Sequence, residues 1–200
     1  KFIEKYPTID MLASANEDEV MKLWQGLGYY SRARNMHYTS KYIVNNLQSK
    51  FPSTYEEIIK LKGVGEYTSS AISSFCYNLP HAVVDGNVIR ILSRYFGIEV
   101  AFDSSHGKKL FKKLASENLN IENPAIHNQS IMEFGALQCV PKSPNCLRYF
   151  LTSGVFFAAL IYLSLALFND LTNSGFSSIQ TGVLKYSFIY IVIYSPPILL

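Results

Sequence analysis

Two hundred residues, 48% hydrophobic and 16% charged, suit one ordinary domain or two small ones and exclude a disordered, collagenous or low-complexity chain. A formal net charge of +3 allows an anionic partner without naming one. Three cysteines are too few for a disulfide scaffold, and no secretory leader pattern opens the chain, so a cytoplasmic setting is expected.

The sequence reads as helix after helix. Asn16 and Glu19 make a capping box for a helix running through Trp24, which Gly26, Leu27 and Gly28 break. From about Ser31, the residues Met36, Ser40, Ile43 and Leu47 recur at helical spacing and mark the buried face of a second helix. Ser53 and Glu56 form another capping box before a short helix over 55–60. Two glycines around Val64 then precede a helix over 66–77, which Pro80 stops. Val88, Ile91, Leu92 and Tyr95 form the apolar stripe of the next helix, closed by Gly97. Two more helices are expected at 105–117 and 124–137, and the strand-like stretch 98–102 lacks a partner. The fold class expected is all-α.

The composition breaks late in the chain. Residues 1–146 hold 30 of the 33 charged side chains, whereas 149–168 is a run of 20 without any, long enough as a helix for about 30 Å of hydrocarbon. The expected division is a first helical lobe over 1–81, a second over 82–146, and an apolar tail over 147–200.

Four features bear on chemistry, and each has an ordinary reading. Leu61, Lys62, Gly63, Val64 and Gly65 lie between two helices. Glycines there permit a tight turn and close approach of another molecule, and the next helix N-terminus offers N–H groups to a phosphate without reading base sequence. The ordinary reading is a plain helical corner. Asp85, after an apolar run and before a helix, is either an N-cap or a buried carboxylate able to stabilise a sugar-like cation. Trp24, Tyr29, Tyr30, Arg32 and Arg34 cluster around glycine turns. They fit either a wedge entering a base stack with cations near phosphate, or core packing by Trp24 and one tyrosine with both arginines solvated. Cys139 and Cys146, separated by six residues, fit part of a metal or iron–sulfur loop, while Cys76 reads as a small core residue.

Together these motifs resemble adenine DNA glycosylases of the MutY type, within the endonuclease III superfamily. The matching stretches are 23–35, 61–68, 84–88 and 135–139, in the family's order and spacing, over essentially all of residues 1–146. The resemblance implies a helix–hairpin–helix glycosylase fold of two helical lobes with the cleft between them. Its partner would be double-stranded DNA containing adenine opposite 8-oxoguanine or guanine, and no oligomer is expected. The hairpin of Leu61, Lys62, Gly63, Val64 and Gly65 would hold the DNA backbone, and Tyr29 would wedge beside the 8-oxoguanine. The flipped adenine would leave with Asp85 stabilising the oxocarbenium ion. Tyr67 would stand where bifunctional relatives carry a Schiff-base lysine, so base hydrolysis without strand cutting is expected.

The resemblance also marks departures. The family's second catalytic residue, a glutamate, falls upstream of Lys1, so the chain reads as N-terminally truncated and is expected to release no adenine by itself. The family's [4Fe–4S] loop has four cysteines; Cys139 and Cys146 match two, and the others fall on Tyr149 and Val155. A stable cluster is therefore not expected, and the segment around Cys139 is expected to be loosely ordered. The tail is expected to reflect a frameshift rather than a membrane anchor. A non-catalytic DNA-binding fragment and a membrane protein with a vestigial glycosylase domain are the alternative readings.

Overall fold

A computed structural model describes residues 1–144. Among these there are nine helices and no strand, so 98–102 is not a strand. Phe2–Lys5 (α1), Ile9–Ser14 (α2), Glu17–Leu23 (α3), Tyr30–Asn46 (α4), Tyr55–Ile58 (α5) and Glu66–Tyr77 (α6) come first; Gly86–Phe96 (α7), Ser105–Glu117 (α8) and Pro124–Leu137 (α9) follow. No helix among the described residues is long and apolar enough to cross a membrane. Cys146, the positions 149 and 155, the tail from 147 and the apolar run 149–168 lie outside the described residues.

The helix ends follow local chemistry. Thr8, Asn16, Asp85 and Ser104 each accept a backbone N–H at the start of α2, α3, α7 and α8. Two details depart from expectation. Glu19 does not close a box with Asn16; its carboxylate pairs with Lys5 at 3.3 Å. The cap of α5 is Thr54, one residue later than Ser53, with its hydroxyl donating to Glu57 at 3.0 Å. Asn78, in the left-handed region, ends α6 before Pro80 is reached.

The buried apolar residues form two clusters. One centres on Trp24, Met36, Ile43, Ile58 and Ile72. The other joins Val88, Leu92, Phe111, Ile131 and Cys139. Tyr95 departs from the expected stripe of α7: it is exposed and meets Phe96 edge to face. The segment between α6 and α7 is held by the buried Asn128 of α9, whose side chain accepts from the Val83 N–H at 3.1 Å and donates to the His81 carbonyl at 2.9 Å. This one side chain fixes the path of the chain immediately before Asp85.

Candidate active site and nucleic-acid interface

The hairpin is docked on α4. Gly63 adopts φ +79°, in the left-handed region, and a Cβ there would meet the Asn35 side chain at 2.5 Å. The Lys62 carbonyl accepts from the Thr39 hydroxyl at 3.0 Å. Leu61 and Val64 are buried and anchor the turn in the first core. Lys62 remains exposed, with its ammonium 4.1 Å from the centre of the Tyr38 ring. Gly65 differs from Gly63: its φ of −95° suits any residue, and a Cβ there would meet nothing within 4 Å. So Gly63 makes the turn, and Gly65 leaves an open backbone surface at the N-terminus of α6. Tyr67, the second residue of α6, is half-buried.

Tyr29 caps the same α4. Its backbone lies in the left-handed region (φ 45°, ψ 54°), a conformation that costs a non-glycine residue about 1–2 kcal/mol. The buried Trp24 supports it: its indole N–H donates to the Gly28 carbonyl at 2.9 Å and pins the loop. Tyr29 is 57% exposed, with the Arg32 guanidinium 5.1 Å from its ring centre. Trp24 is therefore core, as the ordinary reading expected, but Tyr29 and Tyr30 are both exposed. Arg34 pairs with Glu17 at 3.6 Å. Thr39 is the tenth residue of α4, about 15 Å along the helix from its cap Tyr29. The exposed tyrosine and the hairpin are thus set at a fixed distance.

Asp85 stands at the N-cap of α7, only 4% exposed. One carboxylate oxygen accepts from the Val88 N–H at 2.8 Å, and the other accepts from the Asn87 side-chain amide at 2.8 Å. Asp85 is therefore a true N-cap, with both carboxylate oxygens held by N–H donors of the first turn of α7.

Behind it runs a bridge that the sequence reading did not foresee. Arg90 donates to the Asn87 side-chain carbonyl at 2.6 Å, to the Gly135 carbonyl at 2.8 Å and to the Cys139 carbonyl at 3.0 Å. Arg94 donates to Cys139 Sγ at 2.9 Å and to the Val140 and Pro141 carbonyls at 2.9 and 3.1 Å. The segment around Cys139 is thus tightly held rather than loosely ordered. A signal was available: two arginines one helical turn apart on α7, following Asp85. Gly135 is also fixed by this packing, because a Cβ there would meet the Asn87 side chain at 2.6 Å.

The fit of an iron–sulfur cluster can be judged on donors. Among the described residues the cysteines are Cys76 and Cys139, which pack in different cores, and no group of three or more His, Cys, Asp or Glu side chains could hold a metal ion. The described donors do not fit a cluster of four thiolate ligands.

This all-α body, with a glycine hairpin leading into a helix N-terminus and a buried aspartate capping a later helix, is similar to solved structures of DNA glycosylases. A thermostable thymine-DNA glycosylase superposes with a TM-score of 0.66 at 26% identity, covering 72% of this chain and 67% of that one. Endonuclease III in a non-covalent DNA complex gives 0.63 at 25% identity, covering 72% and 66%. A family model described as HhH-GPD superfamily base excision DNA repair protein matches residues 1–117, and the chain belongs to that family. Among curated relatives, an adenine DNA glycosylase of Buchnera aphidicola subsp. Baizongia pistaciae is 39% identical over 150 residues, which is 73% of this chain and 41% of that protein. The adenine DNA glycosylase of Homo sapiens is 39% identical over 146 residues, 72% of this chain and 27% of that protein. The chain thus spans well under half the length of these relatives.

Proposed function

We propose that the chain belongs to an adenine DNA glycosylase that removes adenine mispaired with 8-oxoguanine or guanine by hydrolysing its N-glycosidic bond. The observation that carries this reading is Asp85, a carboxylate buried to 4% exposure and oriented through both oxygens at a helix N-terminus. Such a fixed negative charge opposes the positive charge that develops on the sugar as the base leaves. The phosphate backbone of the duplex docks on the open edge at Gly65 and the first N–H groups of α6. Tyr29 enters the stack beside the base opposite adenine, and the adenine turns out toward Asp85. The glycosidic bond then breaks, its electrons leave with the base, and water adds to the sugar and gives up a proton to solvent. The phenol of Tyr67 cannot form a Schiff base, so the strand stays intact. Proton delivery to adenine falls to the upstream glutamate that the resemblance implies.

The two cores support a division near 81 and 82, with the first lobe bearing Tyr29, Leu61, Lys62, Gly63, Val64, Gly65 and Tyr67 and the second bearing Asp85. In the family's pattern Cys139 and Cys146 would supply two thiolates to an iron–sulfur cluster. The test uses the chain extended at its N-terminus with the corresponding segment of a curated relative, and a duplex holding adenine opposite 8-oxoguanine. Adenine release is expected, with a loss of about 100-fold or more in Asp85→Asn. Binding without release by the extended chain would make it a DNA-binding module instead.

A further inference from the structure

Glu66 stands directly after the hairpin, as the first residue of α6. A carboxylate there is favoured by the helix dipole when no other anion is near, but it repels a phosphate seeking the same N–H groups. Its side chain is 71% exposed and meets Lys112 of α8 at 3.3 Å, a lysine itself 60% exposed. Lys112 is borne on a strongly basic helix: Lys108 and Lys109 lie one turn earlier, both exposed, and Lys113 is engaged by Glu117 at 3.7 Å. The pair joins α6 to α8, two helices whose side chains pack in different cores. An exposed ion pair of this kind adds little to fold stability, so its placement calls for another explanation.

We propose that Lys112 is a positioning residue for DNA binding, and that it acts by neutralising Glu66 at the mouth of the hairpin's phosphate site. This rests on the reading of that hairpin as the DNA-backbone grip. With Lys112 in place, the carboxylate is screened and the N–H groups remain available to phosphate. Without it, one uncompensated negative charge faces the incoming backbone at short range. The lysine therefore matters only while Glu66 is charged.

The experiment is a double-mutant cycle on the full chain, read as affinity for a short fluorescein-labelled duplex at low and moderate salt. Lys112→Gln weakens binding about three- to tenfold at low salt, and less as salt rises. Glu66→Gln binds as tightly as the parent or tighter. In the Glu66→Gln background, Lys112→Gln has almost no effect. Equal losses from Lys112→Gln in both backgrounds, with a salt slope shallower by about one, would mean that Lys112 touches phosphate itself, and would overturn the inference. Unchanged affinity in all three variants overturns it too. If the parent fails to bind duplex DNA, the hairpin reading falls and this inference falls with it. Both side chains are exposed, so neither substitution reaches a core, and circular dichroism of each variant verifies its fold.

Discussion

At the scale of single residues, the two glycines of the hairpin look alike in sequence and differ in structure. Gly63 has a positive φ of +79° and a side-chain wall at Asn35, whereas Gly65 has neither. Gly63→Ala should therefore cost about 1–2 kcal/mol or more through backbone strain and crowding, seen as a drop in Tm of several degrees. Gly65→Val, at the N-cap of α6, should lower Tm less than Gly63→Ala and weaken duplex binding about tenfold, because its branched side chain fills the space a phosphate backbone would occupy. Lys62→Ala should weaken binding less than Gly65→Val; the reverse order in folded variants would place the affinity in charge rather than in the turn. Asp85 permits a similar separation. Asn at position 85 keeps an acceptor for the Val88 N–H and so keeps the cap, but sets its own amide N–H2 against the Asn87 amide; Ala removes both acceptors, the cap alone at about 1 kcal/mol. A Tm for Asp85→Asn between those of the parent and Asp85→Ala would distinguish the capping role from the second hydrogen bond.

At the scale of elements, the longer helices were legible because each has a start signal, a period and a stop. The structure gives Glu66–Tyr77, Ser105–Glu117 and Pro124–Leu137, the bounds expected from the sequence. Helices α1 and α2 were not legible. They have four and six residues, too few to show a period, and they form because Phe2, Tyr6 and Leu12 pack into the core around Trp24. Phe2 meets Tyr6 and Trp24 edge to face at 5.4 and 5.8 Å. Nor could the sequence show what joins α2 to α4: the buried His37 of α4, whose Nε2 reaches the Ala15 carbonyl at 3.1 Å. A carbonyl only accepts, so that nitrogen carries the proton. Burial, helped by Lys41 one turn on, holds the pKa of His37 below 6.5, against smaller opposing pulls from the Ala15 contact and Glu17. Burial also lowers the pKa of His127 on α9. In both cases the unfolded chain takes up protons first as pH falls. Stability is therefore full above about pH 6.5 and declines as pH drops from there toward the lowered folded values. Thermal denaturation between pH 7.5 and 5 should show Tm falling. Replacing His37 with Gln, which can still donate to Ala15, should flatten part of that fall. A pH-independent Tm would contradict the argument.

At the scale of the whole molecule, the two cores meet where α6 packs against α9, and a few side-chain hydrogen bonds tie the segment that joins them. Asn128 is 1% exposed and bonds both His81 and Val83, and Asn78 reaches the Glu122 carbonyl at 3.3 Å. Asn128→Ala leaves the buried Val83 N–H without its partner, at about 1–3 kcal/mol, and frees the part-buried His81 carbonyl. It should lower Tm sharply and broaden or split the unfolding transition, because it uncouples the segment that links the cores. A single sharp transition at the parent's Tm would show that helix packing alone couples them. The second core has a further demand placed on it at Cys139. Arg90 and Arg94 hold the carbonyls of Cys139, Val140 and Pro141 and the Cys139 sulfur, so this end of α9 is fixed by guanidinium hydrogen bonds within the protein. A cubane iron–sulfur centre needs four soft ligands. The chain has three cysteines in all; Cys76 packs against the first core, and positions 149 and 155 hold tyrosine and valine. A valine has no donor atom and a phenol is a hard oxygen ligand, so neither replaces a thiolate. The purified chain should therefore contain far less than one cluster after anaerobic reconstitution, measured as iron, sulfide and visible absorption. About four irons per chain would overturn this and would require ligands beyond these thiols. Restoring cysteine at 149 and 155 is the complementary trial. Iron uptake on that change, with Arg94→Gln lowering it, would show that the arginine clamp presents Cys139 to the cluster.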